Sequence, residues 1–434
     1  MKRMSAWIPR GSAQTVHLLH PTKDSLGSSS KSVENGRPLG TTGMASRAGT
    51  LHTEAVGRKL SADHEVKTEI PANIASRSSM LAMRQDAGRC KRRRGRVLRF
   101  GAGCVAFVLL LTLAGAVYQA IAIRRDRRKH PPPGVMVDVG GYRLHLHCMG
   151  QGSPTVVLVG GVGASTLNWA LVQPEAAKIT RVCGYDRAGV GWSDPGPRER
   201  SSRYAAPQLR TLLRNAAIVP PYILVGHSLG GFHVRVYASM YPQEVAGLVL
   251  VDSAISEEWL GATPDQFDKE SRATAQLAAT QDRYSRLGAW AIRLGAGRVY
   301  YELLRGRSGP GCLDQNFPPD VQDACIALIN QPKWFEAGGP ETAALLQSAI
   351  DAKQASIPGN VPLAVLVAGK DLSWQARKPD DPWFQYQKAL TAGSTNSLLL
   401  VAARSPHYIP TYQPELVIEA IRKVVESART GKPL

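Results

Sequence analysis

From residue 131 onward, short apolar runs return at intervals: 135–139, 142–148, 155–159, 181–185, 222–225, 248–251, 362–368 and 397–401. The run at 142–148 alternates, while many of the others are nearly all apolar, as strands buried on both faces are. Between the later runs lie segments of helical length at 205–217, 229–240, 383–390 and 414–427. Strands that alternate with helices and keep no polar face predict a mostly parallel sheet covered on both sides. Gly140-Gly141 between the first two runs predicts an antiparallel hairpin at the start of that sheet. The alternation stops over 254–359, where apolar positions such as Trp259, Trp290, Tyr300, Tyr301, Trp334 and Phe335 fall in helical and irregular sequence. An insertion of about 100 residues is too long for a structureless loop and predicts a helical cap.

The N-terminal third obeys another rule. Residues 1–90 are rich in Ser, Gly, Thr, Ala and Arg and hold no sustained hydrophobic period, so a disordered basic tail is expected there. A start of translation at Met80 or Met83 is the alternative, since the segment after these methionines resembles the beginning of an exported protein. Residues 100–123 carry no charge and are bracketed by Lys91-Arg92-Arg93-Arg94 and by Arg124-Arg125-Asp126-Arg127-Arg128-Lys129. As a helix they reach about 36 Å, enough for a hydrocarbon core of about 30 Å. Basic clusters at both ends suit headgroups better than a protein interior, so an uncleaved membrane anchor is expected. Ala114-Gly115-Ala116 leaves a cleaved signal peptide as the second reading. A short cationic start at Met80 or Met83 would put the C-terminal part outside the cytoplasm. Pro131-Pro132-Pro133-Gly134 then breaks the helix and opens a folded unit over 131–434.

Charge changes the picture only at first sight. The chain of 434 residues has a formal charge of +19, with 44% hydrophobic and 20% charged residues. Up to His130 there are 24 Lys and Arg against 8 Asp and Glu, leaving 29 against 26 for the remainder. The folded unit is therefore close to neutral, and a nucleic-acid partner is not expected.

Gly226-His227-Ser228-Leu229-Gly230 follows the apolar run Tyr222-Ile223-Leu224-Val225 and opens a helical segment. A nucleophilic serine on a strand-to-helix turn needs small neighbours on both sides, because the backbone is folded sharply to lift the hydroxyl clear of the sheet. Downstream, Ser405-Pro406-His407-Tyr408 comes after the last strand and before the C-terminal helix, where an imidazole can reach back as general base. His227 and His233, beside the serine in sequence, are read as structural, and the bland readings of Ser228 and His407 are a helix cap and a surface loop residue.

Together with Gly160-Gly161-Val162-Gly163 after the third strand and Tyr185-Asp186-Arg187-Ala188-Gly189-Val190-Gly191-Trp192-Ser193 after the fourth, these motifs resemble the α/β-hydrolase superfamily over residue 131 to the C-terminus. Within it the chain is most similar to membrane-anchored or exported bacterial-type serine hydrolases. The resemblance implies a mostly parallel eight-stranded sheet with a cap, a Ser-acid-His chain order, and an oxyanion hole from the N–H groups of Val162 and Leu229. Where the family usually has His-Gly after the third strand this chain has Gly160-Gly161, which changes what braces the loop. The triad acid stays open between Asp371, in the loop after the seventh strand, and Asp252, at the end of the sixth. Relatives that attack with Asp, the epoxide hydrolases and haloalkane dehalogenases, differ at the nucleophile, which here is Ser228.

The expected substrate is a small molecule with a carboxylic ester or related acyl group. An acyltransferase, an aminopeptidase or a cofactor-free peroxidase-like relative would use the same triad, and a non-catalytic binding protein on this fold is the reading from another class. No cofactor and no metal are expected, since no Cys-x-x-Cys or His cluster has ligand spacing. The fold implied by the resemblance sets Cys148 beside Cys183, either as a disulfide or as two buried thiols, and Cys312 and Cys325 are candidates to pair within the cap.

Overall fold

The structure, a computed structural model, describes residues 72–260, 264–304 and 311–434. The expected disorder of residues 1–71 lies outside the described residues. Helix α1 runs Ala72–Lys129, so residues 72–90 are helical rather than part of the tail. Pro71 stands directly before it, and Ala, Met, Leu, Arg and Gln, all strong helix formers, recur from there to Ala87. Two compact units divide this helix: Leu19–Phe107, described only through the first part of α1, and a unit containing Val108–Leu434.

In the second unit β1 (Val135–Asp138) and β2 (Arg143–Met149) form the hairpin expected across Gly140-Gly141. Then come β3 (Thr155–Val159), the short α2 (Gln173–Ala176), β4 (Val182–Tyr185), α3 (Ser202–Asn215), β5 (Tyr222–His227), α4 (Leu229–Met240) and β6 (Val245–Val251). After the cap the alternation resumes with β7 (Leu363–Ala368), α11 (Pro382–Ala389), β8 (Ser397–Ala402), α12 (Ile409–Tyr412) and α13 (Pro414–Thr430). The cap between them is α5 (Ser256–Leu260), α6 (Pro264–Arg293), α7 (Ala296–Leu304), α8 (Pro319–Ile329), α9 (Pro332–Ala343) and α10 (Leu345–Gln354). No strand occurs in it among the described residues.

The eight strands form one sheet in the order β1-β2-β4-β3-β5-β6-β7-β8, antiparallel on both sides of β2 and parallel from β4 onward. Alternate residues feed two cores. Val157, Val159, Leu224, Leu248, Leu250 and Val365 pack toward one face, with buried residues of α3, α4 and α10. Val156, Leu158, Ile223, Val225, Val249 and Leu366 pack toward the other, against α2 and α13. Such two-sided burial is why these strands read as apolar throughout. The parallel run brings the C-terminal ends of β3, β5, β6 and β7 to one edge, where a doubly covered sheet places its ligand crevice.

Both cysteine pairs are disulfides. Cys148–Cys183 joins directly opposed residues of β2 and β4, and Cys312–Cys325 ties the segment before α8 to that helix.

Candidate active site

Ser228 sits between β5 and α4 with φ of 54°, a left-handed conformation that a residue with a side chain adopts at a cost. The turn is tight enough that a Cβ on Gly230 would lie 2.2 Å from the Val159 carbonyl oxygen, and one on Gly226 would lie 2.6 Å from that of Gly230. Only hydrogen fits at either position, which is the reason for the two flanking glycines. The Ser228 N–H donates to the Val251 carbonyl, and its own carbonyl accepts from Gly231 and Ala254, so the end of β6, the segment after it and the first turn of α4 hold the strained residue.

His407, between β8 and α12, lines the same cavity as Ser228. Its Nδ1 meets Asp252 Oδ2 at 2.7 Å. Asp252 is buried at the end of β6, where its Oδ1 accepts the Ala368 N–H and the Trp383 indole N–H, each at 2.9 Å. Burial pushes this carboxyl upward, but the His407 hydrogen bond and charge, with those two donors, hold it below its ordinary value. The carboxylate against the imidazole is thus Asp252. Asp371 turns into its own loop instead, accepting the N–H groups of Ser373 and Gln375.

The two nearby histidines take other positions. His227 Nε2 lies 3.0 Å from the His407 carbonyl, and the rings sit 4.8 Å apart. Burial, then the neighbouring His407, lowers the His227 pKa to about 3, so the neutral ring donates from Nε2 to that carbonyl and fixes the loop bearing His407. His233 points away, with Nδ1 on the Ser202 hydroxyl at 2.8 Å, and burial lowers it to about 3 as well.

Val162 lines the cavity and Leu229 opens α4, where first-turn N–H groups have no partner within the helix. The loop carrying Val162 is gripped on both sides. Arg187 donates from Nη1 to the Gly160 carbonyl at 2.7 Å and from Nη2 to that of Gly161. Glu341, on cap helix α9, takes the Arg187 Nε–H on Oε1 at 2.7 Å and the Gly163 N–H on Oε2 at 2.8 Å. Trp334 of the same helix donates its indole N–H to the Gly163 carbonyl at 3.0 Å. Burial alone would raise the Glu341 carboxyl, yet the Arg187 charge and hydrogen bond, with the Gly163 N–H, hold it down, so the buried pair is ionised. Arg187 and α9 thus brace the loop that begins at Gly160-Gly161. Arg187 stands in a motif visible in the sequence; Glu341 has no local signal, because its partner is 154 positions away.

The cavity holds about 220 Å³. Its walls are mostly apolar, with Trp169, Tyr301, Ile329, Trp334 and Phe335 among them, and both Cys312 and Cys325 contribute to the lining.

A sequence family described as alpha/beta hydrolase fold matches residues 154–298. The uncharacterized protein YbdG of Bacillus subtilis is 23% identical over 329 residues, covering 74% of this chain and 95% of its own. A 2-hydroxymuconate semialdehyde hydrolase of a Pseudomonas species is 33% identical over 126 residues, covering 29% of this chain and 44% of that enzyme. Among solved structures, Cfl2 from Burkholderia cenocepacia matches with a TM-score of 0.51 at 21% identity, covering 67% of this chain and 94% of that one. The sheet order, the serine turn and this family match together give the chain the α/β-hydrolase fold.

Proposed function

We propose that this chain is a membrane-anchored serine hydrolase that cleaves a carboxylic ester or related acyl compound. The observation that carries the reading is that a strained Ser228 and His407 line one apolar cavity, with His407 Nδ1 bonded to the buried Asp252 carboxylate behind it. The Ser228 hydroxyl oxygen attacks the acyl carbon while His407 Nε2 takes its proton, and Asp252 holds the Nδ1–H tautomer and stabilises the imidazolium. The N–H groups of Val162 and Leu229 receive the oxyanion. As the carbonyl re-forms, the bond to the leaving group breaks and His407 returns the proton to it. Water activated by the same imidazole then adds to the acyl-enzyme, and the acid is released with Ser228 restored.

The apolar walls favour an acyl or aromatic group over a sugar or nucleotide. The helix at 100–123 serves as the anchor, for α1 contains the stretch that is long and apolar enough to cross a membrane among the described residues. Two disulfides favour an oxidising compartment, so the domain is assigned outside the cytoplasm.

The test is fluorophosphonate labelling of the full chain in membranes, followed by a panel of ester, thioester and amide substrates. Labelling of the wild type that vanishes in Ser228→Ala and His407→Ala is expected, with esters turned over fastest. A folded wild type that takes no label would make the site a binding pocket, and preferential amide cleavage would make the enzyme a peptidase.

A further inference from the structure

The C-terminal turns of α1 pack against the cap. Thr112, Gly115, Ala116, Gln119, Ala122, Ile123 and Asp126 are partly or fully buried, a spacing of three and four that marks one face of a helix. Gln119 is 2% exposed, and its amide donates to the Asn330 carbonyl at the end of α8 at 2.7 Å. Arg298 of α7 reaches Gln119 Oε1 and Asp126. Gly115 lies so close to the end of α6 that a Cβ there would stand 2.6 Å from the Leu294 carbonyl oxygen. The cap therefore holds the last turns of the apolar segment.

That contact conflicts with a span made only of exposed helix. Twelve residues of the apolar segment, 100–111, precede its first packed turn at Thr112, and as helix they reach about 18 Å against a hydrocarbon core of about 30 Å. Counting from Val97 adds only about 5 Å. A crossing must take in the turns from Thr112 to Gln119, and these are the turns that touch Leu294, Gly295 and Asn330. The part of the cap beside them then lies at the edge of the hydrocarbon.

The cap surface suits that position. Leu287 and Trp290 lie seven and four residues before Leu294, on one helical face, and are 61% exposed each; Val299 on α7 is 62% exposed. Arg124, Arg125, Arg127 and Arg128 come next on α1, where cationic side chains meet phosphate. The opposite side of α6 carries Gln281 and Ser285 to the cavity wall. We propose that the outer face of α6, with Leu287 and Trp290, and Val299 of α7 dock on the surface of an anionic phospholipid bilayer, so that one helix separates the lipid from the acyl-binding cavity. The docking rests on the anchor reading above and goes beyond it.

The test uses the full chain with Cys90→Ser and Cys104→Ser, reconstituted in phosphatidylcholine/phosphatidylglycerol vesicles. Single cysteines at Leu287→Cys, Trp290→Cys and Val299→Cys carry an environment-sensitive fluorophore; Leu109→Cys reports the span and Val219→Cys, exposed on the sheet domain, is the control. Nitroxides are placed at shallow and deep positions of the lipid chain. Docking predicts that the deep nitroxide quenches position 109, that the shallow one quenches 287, 290 and 299, and that neither quenches 219. Quenching at 109 without quenching at the cap positions overturns the docking and leaves the anchor standing. No quenching at 109 removes the anchor and the docking together.

Discussion

At the scale of single residues, the buried Arg187–Glu341 pair separates positioning from stability. Glu341→Gln keeps size and an acceptor for the Gly163 N–H but leaves the Arg187 charge uncompensated, a loss of about 3–5 kcal/mol for a buried pair broken on one side. If the pair also sets the oxyanion loop, kcat should fall by about tenfold or more, approaching the roughly 10²-fold loss at the low end of what removing an oxyanion donor costs. The double change Arg187→Met with Glu341→Met removes both charges and should recover much of the lost stability. Recovery of Tm without recovery of kcat is expected; recovery of both would reduce the pair to a structural role. The same scale shows what a sequence can reveal. Ser228 and His407 are announced by local constraints, a glycine-flanked turn and a loop after the last strand. Which carboxylate faces His407 is not, because both Asp252 and Asp371 follow strands that end at the same edge; the structure sets Asp252 against His407 and folds Asp371 onto N–H groups of its own loop.

Among the elements, α9 joins the cap to two loops at the candidate site. Lys333 donates to the Ser193 carbonyl, Trp334 to that of Gly163, and Glu341 binds Arg187, so this one helix touches the loops after both β3 and β4. The insertion was legible as a helical cap, since its apolar positions lack the period of strands, but its attachment was not, because every tie joins residues far apart in sequence. The start of α1 departs from expectation for a related reason: low overall hydrophobicity argues for disorder, while local propensity favours helix from Ala72. The cap disulfide offers a test at this scale. Cys312 and Cys325 are 13 positions apart and both line the cavity, so the bond restrains its wall. A loop of that size is worth about 3 kcal/mol by chain entropy. Cys312→Ser with Cys325→Ser should lower Tm and raise KM for a bulky acyl ester several-fold, while a small fluorophosphonate still labels Ser228 at nearly the wild-type rate. An unchanged KM would free the bond from any part in shaping the pocket.

For the molecule as a whole, the sheet was the most legible feature, because strands buried on both faces are almost wholly apolar and so print their positions directly. The buried polar groups have a consequence for pH. His227 and His233 each fall from 6.5 to about 3, by burial first and then by the charge of His407 and of Arg187 respectively. The unfolded chain binds a proton at each below about 6.5, whereas the folded chain does so only near 3, so folding stability rises with pH across that window. At pH 5 the two sites together should remove about 4 kcal/mol relative to neutral pH. Asp252 and Glu341, held below their ordinary values, add a further loss in the same direction at lower pH, as the medium falls through their folded values. Tm should therefore be level near pH 7 to 8 and decline from about 6.5 downward, well before carboxylates titrate. His233 packs on Ser202 away from His407 and Asp252, so His233→Gln removes one of the two histidine contributions without touching the proposed base. Its Tm should start lower but fall about half as steeply between pH 6.5 and 5. A slope parallel to the wild type would show that His233 takes up its proton in the folded chain as readily as in the unfolded one.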